Sequence, residues 1–325
     1  MKAVVCTKYG APDVLQVIDI DKPSPKDNEI LIKVFAASIT TADTMMRRGT
    51  PYIGRLFMGL RKPKYAVTGT GFSGVVEAIG KNVTRFKPGD RVFGESIFGH
   101  GSNAEYTCVT QDGVIATLPH NMTHESAAPV CDGALTSLSF LKDIGEIQPG
   151  QRVLINGASG SLGSAAVQIA RHFGAHVTGV CSRDNIELVK SLGADEVIDY
   201  RHEDFTQMVQ QYDIIYDTVG KRSFCQCKKV LSKNGRYLSP VLSFSLLLSM
   251  LWSAMFCDRK ARFSATGIRP AKELLPLLDE LRKLFESNAI RTVIDRQYTL
   301  DQTVAAHRYI DKGHKIGNVV LTGIQ

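Results

Sequence analysis

Apolar positions in the first third of the chain fall into short alternating or β-branched runs at residues 3–6, 15–20, 29–37, 72–79 and 90–93. Turn clusters such as Lys87-Pro88-Gly89-Asp90 separate them, which predicts short strands in a compact, irregular β domain. After Pro129 the texture changes. Residues 151–156, 175–181, 196–199, 213–217 and 236–240 read as strands, and 161–173, 185–192 and 205–211 as helices. Strand and helix alternate roughly every ten to fifteen residues, the mark of a parallel sheet with crossover helices. Beyond about residue 266 come a helix over 271–287, the segment 292–298, a helix near 300–312 and a closing strand at 318–322.

Composition adds limits. The 325 residues are 44% hydrophobic and 22% charged, which excludes a disordered, collagen-like or coiled-coil chain. At this length two domains are the default. The formal charge of +7 is local: residues 45–65 and 221–236 hold six basic residues each and no acid, and the remainder sums to −5. No tail is polybasic, so nucleic acid is not an expected partner. Seven cysteines are scattered, and the one close pair, Cys225 and Cys227, is too closely spaced for a zinc loop. Residues 1–14 lack a charged-then-apolar signal, so a reducing, cytoplasmic compartment is expected.

The most informative stretch is VLINGASGSLG at 153–163. An apolar strand runs into Gly157, Gly160 and Gly163, and a helix follows, all inside a βαβ unit. That context calls for a tight turn, backbone N–H groups close to a pyrophosphate, and a helix N-terminus facing the anion. Gly157, Ser159, Gly160, Ser161, Leu162 and Gly163 are therefore candidate cofactor contacts. An NAD site wants a carboxylate at the end of the second strand for the ribose hydroxyls. Here Cys181, Ser182 and Arg183 stand there instead. A hydroxyl and a guanidinium can both donate to a 2′-phosphate, which favours NADPH over NADH; Asp184 next door tempers the preference.

With those residues in place, the chain resembles the medium-chain dehydrogenase/reductase superfamily, in its zinc-independent quinone oxidoreductase (zeta-crystallin-like) branch. The resemblance rests on Ala36–Asp43 by position, GTGFSGVVEAIG at 69–80, FKPGDRVF at 86–93, the glycine turn, LGADEVIDY at 192–200, YDIIYDTVG at 212–220 and HKIGNVVL at 314–321. It implies an α/β fold: a GroES-like β-rich catalytic domain from residues 1–125 with 266–325, and a Rossmann doubly wound parallel-sheet domain over 126–265. It further implies cofactor contacts at Thr136, Tyr200, Val219 and Asn318.

The departures from the zinc-dependent relatives matter as much. Their Cys-His pair is Thr40-Thr41 here, their Gly-His-Glu is Gly69-Thr70-Gly71, and their third catalytic ligand falls near Asp132, beside Cys131. The structural four-cysteine lobe is absent as well, so no metal is expected. Hydride transfer to a quinone or to the β-carbon of an α,β-unsaturated carbonyl suits such a site, because the charge spreads over a conjugated system. Thr40 could donate to the substrate oxygen or simply hold the turn, and Asp43 is the second catalytic candidate, more readily a loop holder than a proton donor. The alternatives are an aldehyde or ketone reductase and a non-catalytic NADPH-binding interaction protein.

Two further segments stand out. Residues 237–257 carry no charge, and Ser245, Ser249 and Ser253 fall four apart, which predicts a helix with one weakly polar stripe. It reads as buried or facing a second copy in a homodimer, or else as a greasy lid that selects a lipophilic carbonyl or quinone substrate and makes peripheral membrane contact. Residues 45–65 place Met45, Met46, Tyr52, Phe57 and Met58 among the basic residues. This stretch reads as a solvated loop at the rim of a substrate site.

Overall fold

The structure is a computed structural model that describes residues 1–97 and 99–324, apart from the side chains of Ile53 and Phe57. In chain order the first seven strands are β1 (Lys2–Cys6), β2 (Leu15–Asp19), β3 (Glu29–Ile39), β4 (Gly71–Ile79), β5 (Arg91–Glu95), β6 (Tyr106–Thr110) and β7 (Ile115–Thr117). Next come β8 (Arg152–Asn156), β9 (His176–Cys181), β10 (Glu196–Asp199), β11 (Tyr212–Asp217), β12 (Leu231–Ser239) and β13 (Lys260–Phe263). The last two are β14 (Ile294–Tyr298) and β15 (Asn318–Thr322). The helices are α1 (Thr41–Arg48), α2 (Arg55–Met58), α3 (His124–Ala127), α4 (Thr136–Leu138), α5 (Ser161–His172), α6 (Ile186–Ser191), α7 (Phe224–Cys227), α8 (Phe244–Phe256), α9 (Ala271–Glu286) and α10 (Thr303–Asp311).

The chain divides into two compact units, Met1–Asp132 with Pro270–Gln325, and Gly133–Arg269. In the first, strands follow the order β14-β15-β3-β4-β5-β7, with β6 also on β3. The two chain ends meet there: β15 pairs antiparallel with β3, placing Val319 opposite Ile39 and Leu321 opposite Ala37. The alternating apolar residues of these strands, among them Ile30, Ile32, Phe72, Val92, Val319 and Leu321, form one core.

The second unit is a parallel sheet in the order β10-β9-β8-β11-β12-β13. Counted from its own first strand this is the doubly wound 3-2-1-4-5-6 order, whose direction of winding reverses between β8 and β11. Ligands of such sheets bind outside the strand ends at that reversal, and the glycine turn at the end of β8 sits there. Leu154, Val180, Tyr212 and Ile215 fill the core on one face.

Two expectations change. The helix over 205–211 is only a 3-10 turn, Phe205–Gln207, because the Asp204 carboxylate accepts from Thr206 N and Met208 is already extended. The uncharged segment does form a helix, α8, but not a buried one. Only Leu246 and Ser253 are buried within it. Leu246, Met250 and Ser253 turn inward, whereas Ser245 and the large apolar side chains of Phe244, Leu251, Trp252 and Met255 stay outside. The reason is local: Ser253 Oγ accepts a hydrogen bond from the backbone N–H of Ala261 on β13, at 3.0 Å, and Lys260 Nζ donates to the Ser253 and Ala254 carbonyls.

Candidate active site

The glycine turn is held from both sides. The N–H groups of Gly157 and Ala158 both donate to the Val180 carbonyl at the end of β9. Gly157 has φ +83°, a left-handed conformation that disfavours any side chain. A Cβ on Gly163 would stand 2.0 Å from the Gly157 carbonyl oxygen, so only glycine lets α5 begin this close to the strand. The first residues of α5, Ser161, Leu162 and Gly163, stand at the helix's positive end, next to the turn, a cradle that fits a pyrophosphate.

Asp217, which the sequence pattern did not single out, fastens the strand ends together. It is fully buried. Its carboxylate accepts from Asn156 Nδ2 at 2.8 Å, from Tyr237 Oη at 2.9 Å, and from the N–H groups of Val219, Gly220 and Arg222. Five donors on one carboxylate offset its burial. Val219 is thereby brought against the turn: a Cβ on Gly157 would meet its Cγ2 at 2.5 Å. The Thr136 segment joins them through its neighbour, since Ser137 Oγ donates to the Leu162 carbonyl.

At the end of β9, Asn185 Nδ2 donates to both Ser159 Oγ and Ser182 Oγ, at 3.0 and 3.2 Å. Tyr200 N donates to the Cys181 carbonyl, so the β9 and β10 ends lie side by side. Arg183 is exposed there, and Arg201 adds a second guanidinium, 3.6 Å from Asp184. Arg201 and Asn185 were missed in the sequence because their relevance comes from the β9–β10 register, Asp199 opposite Cys181. Asn318 belongs to the first unit, where its Nδ2 donates to the Val293 carbonyl.

In the first unit, Thr40 and Asp43 form a capping box at the start of α1. Asp43 Oδ2 accepts from Thr40 N and from Thr40 Oγ1, at 2.7 and 2.8 Å, and Thr40 Oγ1 accepts from Asp43 N. The one hydroxyl proton of Thr40 is thus committed to Asp43. Asp43 Oδ1 is buried and has no partner among the described residues. Asp43 lines a cavity of about 70 Å³ with Tyr9, Met46, Met58, Tyr65 and Thr70. Burial pushes its carboxyl up to about 7, against the pull of the two hydrogen bonds from Thr40 and with help from the Asp132 charge. Glu95 rises to about 8, by burial and then by Asp132. The stretch expected as a solvated loop is folded into α1 and α2, and Met46, Arg47, Met58 and Lys64 from it line the cavity; the side chain of Phe57 lies outside the described residues.

Residues 26–120 match the alcohol dehydrogenase GroES-like domain and 192–321 the zinc-binding dehydrogenase family. The mouse protein named NAD(P)H oxidoreductase RTN4IP1, mitochondrial, is 32% identical over 99% of this chain and 89% of its own length. The tomato (Solanum lycopersicum) 2-methylene-furan-3-one reductase is 32% identical over 99% of this chain and 79% of its own. The quinone oxidoreductase of Coxiella burnetii superposes with a TM-score of 0.88 at 30% identity, covering 99% of both chains. That of Escherichia coli, complexed with NADPH, gives 0.86 at 25% identity over 99% of this chain and 100% of its own. The chain belongs to the medium-chain dehydrogenase/reductase superfamily, as a quinone-oxidoreductase-like member of its zinc-independent branch. It is an oxidoreductase that takes a nicotinamide cofactor.

The zinc-binding name of one matched family does not transfer to this quinone-oxidoreductase-like chain. The positions that would ligate zinc carry Thr40, Thr41, Thr70 and Asp132, and the Thr40 hydroxyl is closed on Asp43. Zinc takes thiolate and imidazole in preference to hydroxyl groups. Among the described residues no three His, Cys, Asp or Glu side chains gather to hold a metal.

Proposed function

We propose that the chain is an NADPH-dependent reductase of quinones or α,β-unsaturated carbonyls. Asp43 is the observation that carries this reading: a carboxyl protonated up to about pH 7 with an oxygen unpartnered among the described residues, in a cavity that Met46, Met58, Tyr9 and Tyr65 line together with Arg47 and Lys64. A reduced nicotinamide, when bound, supplies a hydride. The chain's own residues then have to hold the substrate, keep water away and stabilise negative charge on its oxygen. Met46, Met58, Tyr9 and Tyr65 offer a surface for a flat apolar substrate. Asp43 holds a proton that can pass to an enolate or quinolate oxygen, and Thr40 keeps the carboxyl in place.

NADPH is supported by the β9 end, where Ser182, Arg183 and Arg201 can donate to a 2′-phosphate. The Escherichia coli relative was solved with NADPH, and the name of the tomato relative describes reduction of an enone. All seven cysteines are free thiols, which fits a reducing compartment such as the cytoplasm.

The test is a panel of quinones, enals, enones and simple aldehydes, each with NADPH and NADH. Turnover on quinones or enones with NADPH, resistant to chelator, is expected. Replacing Arg183 and Arg201 with alanine should weaken NADPH by about tenfold to a hundredfold and leave NADH unchanged. Activity confined to simple aldehydes would replace the reading with a carbonyl reductase. Tight NADPH binding without any turnover would replace it with an interaction protein.

A further inference from the structure

The stretch beside the Asp43 cavity is cationic and has no acid of its own. Residues 45–65 carry Arg47, Arg48, Arg55, Arg61, Lys62 and Lys64 without one Asp or Glu. Arg47 and Arg48 are both paired with Asp311, and Arg55 donates to the Gly49 and Arg48 carbonyls. Of the cations left, Lys64 lines the cavity. Among the described residues it makes no ion pair; its ammonium lies 5.3 Å from the centre of the Tyr65 ring.

The cavity has a direction. Asp43 is buried in it, with Oδ1 unpartnered among the described residues, whereas Lys64 and Tyr65 are exposed at its mouth. Met46, Met58, Pro63 and Val67 add apolar wall. The segment that carries Lys64 is fastened to that wall. Lys64 N donates to the Met58 carbonyl and Tyr9 Oη to the Gly59 carbonyl, both at 2.6 Å. Arg55 stacks on Tyr9 and Tyr52, 4.4 and 4.8 Å from the ring centres. A Cβ on Gly59 would stand 2.1 Å from the Lys62 carbonyl oxygen, so the turn leading to Lys64 is tightly closed.

A substrate that matches this polarity has a carbonyl oxygen at one end, a flat apolar body, and an anion at the other. A neutral substrate would lie beside the ammonium without pairing it. We propose that Lys64 determines specificity at this site, and that the preferred substrate is a conjugated carbonyl compound bearing a carboxylate or a similar small anionic group. The inference rests on the reductase reading above and narrows its substrate class.

The test compares para-carboxybenzalacetone with its methyl ester, the same flat enone with and without a charge. Lys64→Gln should lower the acid-to-ester ratio of kcat/KM by about threefold to tenfold, through KM, and high salt should lower it in the wild type. Lys64→Arg should restore it. The side chain is exposed, so neither variant disturbs the core. A ratio equal in wild type and Lys64→Gln would overturn the proposal. A ratio that holds while the KM for NADPH rises would also overturn it, giving the lysine to the cofactor. The saturated ketone acid makes the test independent of turnover: by calorimetry it should bind wild type about threefold to tenfold more tightly than Lys64→Gln. If neither enone is reduced, the reductase reading fails, and this difference alone decides the anion site. Equal binding to both proteins, or none to either, would overturn it.

Discussion

Thr40 Oγ1 and Asp43 Oδ2 lie 2.8 Å apart, each residue closing a hydrogen bond on the other's backbone at the head of α1. Threonine therefore serves the helix before it serves any substrate. Thr40→Val should cost about 1–2 kcal/mol of stability, the usual worth of an N-cap, whereas Thr40→Ser should be nearly neutral. It should also push the Asp43 carboxyl further up, because those hydrogen bonds favour its charged form. Urea unfolding and a pH–rate profile measure both effects; a Val variant as stable as wild type would contradict this role.

Asp43 makes stability and activity depend on pH in the same direction. Its folded value, about 7, lies above the ordinary 3.8, so the folded state keeps a proton that the unfolded chain releases. Its contribution is fullest below about pH 4 and declines as pH rises to about 7, a loss on the order of 4 kcal/mol. If its proton goes to the substrate, turnover should also fall as pH rises through about 7. Asp43→Asn keeps an acceptor oxygen for the cap and removes the titration. Its unfolding midpoint should vary less with pH over this range, and its rate should lose the alkaline limb. A limb that persists in the variant would assign proton transfer elsewhere.

The first unit also stores an acid-sensitive spot beneath α1. Arg47 is fully buried with Nη2 2.6 Å from Asp311 Oδ2, joining residues from opposite ends of the chain. His307 is buried beside them, and both its ring nitrogens lack partners among the described residues. Burial, and then the Arg47 charge, lower it to about 4. As pH falls below about 6.5 the unfolded histidine protonates first, so stability is lost down to about pH 4, by about 3 kcal/mol. His307→Leu should flatten that acid limb. Asp311→Asn should cost about 3–5 kcal/mol, because it strands a buried guanidinium. Chemical unfolding across the acid range decides both.

Gly163→Ala tests the cradle. Its Cβ would fall on the Gly157 carbonyl oxygen, and backbone cannot step aside as a flexible side chain would. Nucleotide affinity should drop by at least about tenfold, measured by calorimetry, while substitution at Gly313, whose Cβ would meet nothing within 4 Å, should leave it intact. Unchanged affinity in Gly163→Ala would remove the turn from the binding site.

Much of the fold could be read locally. Glycines between an apolar strand and a helix, followed by alternating strand and helix, were enough for the doubly wound unit, because such units are built from contiguous segments. Strands β6, β7 and β13 were not legible. The last, Lys260–Phe263, alternates charge with a small and an aromatic residue and becomes a strand only by pairing with β12.

The sequence by itself determined that residues 237–257 carry no charge and that a glycine-lined turn follows the first strand of a βαβ unit. It could not say which way α8 faces, because a helix apolar on nearly every side has no direction of its own. That was decided by tertiary packing: Leu246 and Met250 join the core of the second unit and Ser253 accepts from the Ala261 N–H, which leaves Phe244, Leu251 and Trp252 outside. The same holds at Asp43. Its spacing from Thr40 announces a capped helix, but only burial in the folded unit moves its carboxyl into the neutral range.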